Sequence, residues 1–228
     1  MARVKFLGHA AFEIEIKGLD GSAKTLLIDP WLENPLSPVK PSDYRGRRVD
    51  YIIVTHDHGD HLGNAVEVAK LTGAVVLGVY ELAERLAGEG VKAVGGNVGG
   101  PLAVEGLEVV LTPAVHSSER GCPTGVVVRG GDASIYHAGD TGLFGDMALI
   151  GELYQPDIAL LPIGGHFTMG VREAVKAVQL IRPRVAVPMH YDTFPLIRAD
   201  PGLFKSIVEE VTRTRVVVLK PGESFSYP

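Results

Sequence analysis

Six side chains able to bind a metal or carry a proton each stand just beyond the C-terminal end of a strand-like run: Asp29, His56, His116, Asp140, His166 and His190. The runs are residues 25–28, 51–55, 108–112, 134–137, 158–163 and 185–188, all rich in β-branched or aliphatic residues. Side chains just past the C-terminal ends of strands gather at one edge of a sheet, where α/β folds place their ligand sites. The chain is therefore expected to be α/β, with its chemistry along one edge. Strands are also expected at 4–7, 12–16, 74–77 and 216–219. Helical spacing covers 62–71, 81–87, Val171–Ile181 and 203–211. Residues 31–48 form a long polar connection, and stretches of that length without structure usually serve as functional loops or lids.

The densest chemistry lies at 56–61, which reads His-Asp-His-Gly-Asp-His and holds three of the eight histidines. A strand would send such neighbours to opposite faces. A tight loop can gather them, and Gly59 permits the turn. Neutral imidazoles and carboxylates are natural ligands for divalent first-row metals, and several must converge to fill one coordination shell. The same run could instead be a polar cap on helix 62–71, with Asp60 as its N-cap. Capping uses one polar residue, whereas this run supplies five.

The spaced set resembles the metallo-β-lactamase superfamily. Thr55-His-Asp-His-Gly-Asp-His61 is similar to that family's His-x-His-x-Asp-His signature. The remaining marks follow in order: Asp29 at an early strand end, His116, Gly139-Asp140-Thr141, and His190 near the C-terminus. The resemblance implies a four-layer αβ/βα sandwich, two mixed β-sheets flanked by helices, with residues 1–228 as a single domain. It implies that His56, His58 and His116 bind one metal ion and that Asp60, His61 and His190 bind a second, with Asp140 bridging them. Asp29 would accept a hydrogen bond that orients a ligand. Zinc is the expected metal, and manganese or iron also accept a mixed nitrogen and oxygen shell. Two such ions, about 3.5–4 Å apart, would share a hydroxide with its pKa drawn toward neutrality. Attack by that hydroxide on a carbonyl carbon or phosphorus would make the chain a hydrolase of small ester-type substrates. A phosphodiester or lactone, itself phosphorylated, is the expected substrate.

Further residues draw expectations of their own. Gly-His-Ala-Ala-Phe at 8–12 and Pro-Ile-Gly-Gly-His-Phe-Thr-Met at 162–169 resemble one branch of the superfamily. That branch contains ascorbate-phosphate lactonases and phospholipase-D-type enzymes acting on N-acyl phosphatidylethanolamine. Candidate catalytic residues are thus Asp60, His166 and His9, the two histidines as proton donors or substrate contacts. His137 reads as a strand-end support. Arg45, Arg47 and Arg48 could hold a phosphate, for which arginine's forked donors are suited. Ser117 and Ser118 lack the Gly-x-Ser-x-Gly setting of a serine nucleophile. No chemistry is assigned to Trp31 or Cys122.

The net charge of −5 provides no global field for nucleic acid, so a small-molecule partner is expected. The single cysteine excludes an internal disulfide, and the first residues lack a signal peptide's apolar core, so cytoplasmic location is expected. No window reaches the length of a membrane span. Homo-oligomerisation stays open. Two other function classes share the fold. One is a di-iron redox protein of the flavodiiron type, which would carry more carboxylates in the loop and a flavin domain. The other is an inactive metal-binding module, which would lack a ligand.

Overall fold

A computed structural model describes residues 1–228. Strands β1 (Ala2–Phe6), β2 (Phe12–Lys17), β3 (Ala23–Ile28), β4 (Tyr51–Ile53), β5 (Val75–Val79) and β6 (Ala93–Gly96) build the first sheet. Strands β7 (Glu108–Pro113), β8 (Thr124–Arg129), β9 (Ser134–His137), β10 (Ile158–Pro162), β11 (Val185–Met189) and β12 (Arg215–Val216) build the second. The last strand, β13 (Ser224–Tyr227), returns to the first sheet and pairs antiparallel with β1. Each sheet opens with antiparallel pairs, β1–β2–β3 or β7–β8–β9, and continues with parallel ones, β3–β4–β5–β6 or β9–β10–β11–β12. Both sheets are therefore mixed.

Helices α1 (Gly59–Leu62), α2 (Ala65–Thr72), α3 (Tyr80–Gly88), α4 (Met147–Tyr154), α5 (Val171–Ile181) and α6 (Pro201–Val211) complete the layers. One apolar core joins the facing sides of the two sheets and runs on beneath α2 and α3, through Ile14, Leu27, Val68, Leu82, Val126 and Leu160. The other packs the outer side of the second sheet against α4, α5 and α6, through Tyr136, Leu161, Val178 and Phe204. Neighbours such as Ile135 and Tyr136, or Leu160 and Leu161, enter different cores, as the alternation of a strand requires. Strands buried on both faces read as continuous apolar runs, and β10 and β11 do so. The architecture is the αβ/βα sandwich that the resemblance implied. No helix is long and apolar enough to cross a membrane.

Three local expectations change. The helix expected at 62–71 is broken at Gly63 and Asn64, leaving the single turn α1 and then α2. Asn64 Oδ1 accepts from Leu32 N–H at 2.9 Å, and Asn64 N–H donates to Pro30 O at 2.9 Å. The break thus grips the segment that carries Trp31. The connection 31–48 lies packed down, because Asn34 donates to Leu7 O and Trp31 O and the buried Tyr44 hydroxyl donates to Glu13. The strand expected at 216–219 ends at Val216, and the closing strand is β13 instead.

Candidate metal centre

After β4 the chain leaves the sheet through His56, Asp57 and His58 and turns into α1, which carries Asp60 and His61. Side chains that a strand would alternate can converge in this turn. Asp29 follows β3, His116 lies three residues beyond β7, Asp140 three beyond β9, and His190 directly behind β11. Asp29, His190 and His9 have φ of 47°, 54° and 56°. A non-glycine residue in this left-handed region costs about 1 kcal/mol or more and persists where neighbouring bonds over-determine it. Here Asp29 N–H donates to Ile53 O at 2.9 Å, and His190 N–H donates to His9 O at 2.7 Å. The second bond ties the β1–β2 connection to the second sheet. Gly139, with φ of 61°, admits no side chain, since a Cβ there would lie 2.4 Å from Thr124 O.

The donors fall into two groups that share one carboxylate. Ring nitrogens of His56, His58 and His116 lie within 4.8 Å of one another, and those of His61, His190 and His9 lie equally close to a carboxylate oxygen of Asp60. Asp140 Oδ2 stands 3.5 Å from His116 Nε2 and 3.1 Å from His190 Nε2, while Oδ1 is 3.1 Å from His61 Nε2. Ligand atoms about 2.0–2.1 Å from one tetrahedral ion are separated by roughly 3.3 Å. Yet His61 Nε2, both ring nitrogens of His190 and Asp140 Oδ1 are buried without a hydrogen-bond partner. Unpaired buried groups cost about 1–3 kcal/mol each. A cation centred among His61 Nε2, His190 Nε2 and Asp140 Oδ1 would remove that cost, so this donor set fits a metal ion.

The surrounding bonds aim these donors. Asp29, wholly buried, accepts from Thr55 N–H at 2.8 Å, from the Thr55 hydroxyl at 2.7 Å and from His61 Nδ1–H at 2.8 Å. His61 Nε2 is thereby left facing Asp140. His137 donates from Nε2 to Ala10 O at 2.9 Å and accepts Gly139 N–H at Nδ1, steadying the turn before Asp140. Asp57 Oδ1 accepts from the Ser118 hydroxyl and Glu119 N–H, both at 2.8 Å, which orders the loop after His116.

Charge is arranged to match. Burial lowers the His9 pKa to about 4, so its ring is neutral at pH 7. The neutral ring donates Nε2–H to Asp60 Oδ2 at 3.0 Å and accepts the Thr193 hydroxyl at Nδ1. Burial pushes the Asp140 carboxyl up, but His61 and His190 outweigh it and hold the group well below its usual range. Burial likewise works against a charged His61, but Asp140 and Asp29 raise its pKa well above the ordinary value. In the metal-free protein the two carboxylates thus favour the protonated form of His61.

The donors border a cavity of about 620 Å³ lined by Trp31, Phe167, Phe194 and Ser117 together with His58, Asp60, His116, Asp140 and His190. His9 is fully buried behind Asp60, a supporting position rather than one that meets a substrate. His166 is exposed and stands outside the lining, its ring 4.4 Å from that of Phe167. Arg45, Arg47 and Arg48 do not line the cavity; Arg47 is bonded to Glu13 at 2.9 Å and Arg48 to Asp50 at 2.8 Å. The covering loops 31–48 and 191–203 are the stretches the sequence points to for setting the substrate, and Trp31 and Phe194 lie in them, but it assigns these rings and Phe167 no role. Trp31 lies two residues past Asp29, Phe167 next to His166 and Phe194 four past His190, so the strand-edge rule could have found them if carried a few residues further.

Comparison with known proteins adds an independent line. Residues 24–191 match the family described as the β-lactamase superfamily domain. A UPF0173 metal-dependent hydrolase of Thermofilum pendens is 72% identical over 228 residues, the full length of both chains. Its counterpart in Staphylothermus marinus is 67% identical, again over the whole of both chains. Among solved structures, a metallo hydrolase from the hyperthermophilic archaeon Ignicoccus hospitalis is 44% identical with a TM-score of 0.92, covering 100% of this chain and 99% of that one.

Proposed function

The chain belongs to the metallo-β-lactamase superfamily, and from that premise we propose that it is a dinuclear metal-dependent hydrolase of small ester-type substrates, lactones or phosphodiesters among them. The convergence of seven donor side chains, several with buried and unpaired atoms, carries this reading. In this reading His56, His58 and His116 would hold one ion, Asp60, His61 and His190 the other, and Asp140 would serve both. Five imidazoles and two carboxylates suit zinc, with manganese or iron as the alternatives. Divalent ions bound there supply Lewis acidity and water that is acidic near neutral pH.

The chain's own groups do the rest. Asp29 fixes the His61 tautomer, so that Nε2 presents its lone pair to the centre. His9 holds Asp60 ionised and in place. Asp60 is 26% exposed to the cavity, positioned to take a proton from the attacking water and return it to the leaving oxygen. Ser117 offers a hydroxyl to the substrate from the cavity wall.

Reconstitution with zinc and, separately, with manganese tests the reading against an aryl ester, an aryl phosphodiester and a lactone. Hydrolysis of at least one is expected to depend on metal and to fall about a hundredfold or more in Asp140→Asn, the scale of losing a main electrostatic group. Equal activity in metal-free protein, or in Asp140→Asn, would overturn it.

A further inference from the structure

Apart from Gly59 and Ser117, the part of the cavity that is not metal-centre residue is aromatic. Trp31 and Phe194 stack with ring centroids 5.8 Å apart and planes at 24°. Both meet His9 edge-on, at 5.1 Å and 5.5 Å, so the pair is braced against the ring that holds Asp60. Across the mouth, Phe167 is half exposed. No lysine or arginine joins the lining. The reacting bond of a substrate would thus find cations, but a phosphate or carboxylate placed away from that bond would find only rings, the Ser117 hydroxyl and carboxylates already engaged. A phenyl or short alkyl group in the same place would leave water for apolar surface, a gain of about tenfold or more per methylene in a well-formed pocket. A cavity of about 620 Å³ is of small-molecule size.

We infer that this cavity selects uncharged esters and lactones bearing an aryl or short alkyl group seated among Trp31, Phe194 and Phe167, and that it discriminates against substrates with a remote anionic group. The inference rests on the hydrolase reading and replaces the phosphorylated substrate that the sequence suggested. In the reaction one water is consumed. The acyl carbon–oxygen bond breaks, a new carbon–oxygen bond forms to the water oxygen, and a proton passes to the departing alcohol.

One ester pair and the matching anilide pair decide it. Phenyl butanoate and the ionised phenyl monoester of succinic acid share a leaving group and differ in a remote carboxylate. Their anilides, N-phenylbutanamide and N-phenylsuccinamate, resist cleavage and report binding through Trp31, the single tryptophan of the chain. The metal-loaded protein should cleave phenyl butanoate with kcat/KM at least about tenfold above the succinate ester. Phe194→Ala and the exposed Phe167→Ala should erode that preference through KM, with metal content unchanged. The neutral anilide should shift Trp31 fluorescence and the anionic one should not. Equal or better cleavage of the succinate ester would overturn the inference and leave the hydrolase reading standing. A fluorescence response selective for the neutral anilide, with neither ester, nor the aryl phosphodiester, nor the lactone cleaved by metal-loaded protein, would overturn the hydrolase reading and keep the ligand class. No response and no cleavage would overturn both.

Discussion

Asp29 touches no substrate, yet its three accepted hydrogen bonds decide which nitrogen of His61 faces the centre. Asp29→Asn would place an amide donor against His61 Nδ1 and Thr55, so the affinity for the ion that His61 holds should fall about 10–100-fold, measured by competition with a chromogenic chelator. Unchanged affinity would show that His61 is oriented by something else. A different buried carboxylate has a purely structural task. Glu13, 4% exposed, is paired with the Tyr44 hydroxyl and with Arg47, whose own side chain is 39% exposed. Arg47→Ala should cost about 1–2 kcal/mol in denaturant unfolding, less than a fully buried pair because solvent screens the guanidinium, and leave metal binding intact. At this scale the candidate metal donors could be singled out in the sequence because ligand chemistry restricts residue type and each lies just past a strand. The aromatic wall could not, since Trp31, Phe167 and Phe194 carry no type-specific mark. His166 looked like its neighbours in the strand-edge pattern, but its turn after β10 leaves the imidazole in solvent and brings Phe167 to the cavity.

The break between α1 and α2 is the element on which the cavity's aromatic side depends. Gly63 has φ of 42°, and a Cβ there would stand 2.4 Å from Trp31 Cα and 2.8 Å from Pro30 O, both backbone atoms. Gly63→Ala should therefore shift Trp31 fluorescence and destabilise the fold by about 1–3 kcal/mol in the same unfolding experiment. An unperturbed emission spectrum would show that the two segments do not meet as described. The helical period across 62–71 concealed this break, because Leu62, Ala65, Val68 and Ala69 keep a common apolar face on both sides of it. Other elements escaped the sequence for separate reasons. In β6, Ala-Val-Gly-Gly is only partly buried and half glycine, so no alternation shows. In β8, Thr-Gly-Val-Val-Val-Arg is buried almost throughout, and short apolar runs do not distinguish strand from helix. In α4, Leu149 and Leu153 face solvent and blur the amphipathic pattern. The strands that deliver metal donors were easier to read, as polar residues ended each run abruptly.

The whole molecule is two mixed sheets with the donors drawn from both: Asp60 and His61 from the turn after β4, Asp140 and His190 from the ends of β9 and β11. A metal ion held by these donors would fasten the two sheets together. At free metal a thousandfold above Kd, the gain is about 4 kcal/mol, so a chelator should lower Tm by several degrees in calorimetry. Unchanged Tm on chelation would contradict a centre shared between sheets. Asp140 and Asp29 favour a proton on His61 in the metal-free protein, and a metal ion at Nε2 would displace it. Since that pKa is raised, affinity should climb with pH up to it, by about tenfold per pH unit for one proton released, and calorimetry in buffers of different ionisation enthalpy would count the protons. A pH-independent affinity would remove His61 from the ligand set. The architecture was legible from the resemblance and from the strand-edge rule, whereas the aromatic lining came into view only once the sheets brought Trp31, Phe167 and Phe194 to one cavity. The central claim is most directly tested by counting metal per chain with plasma mass spectrometry after zinc loading and exhaustive dialysis. The account predicts two ions in the wild-type protein and fewer in Asp140→Asn; one ion or none in the wild type would contradict it.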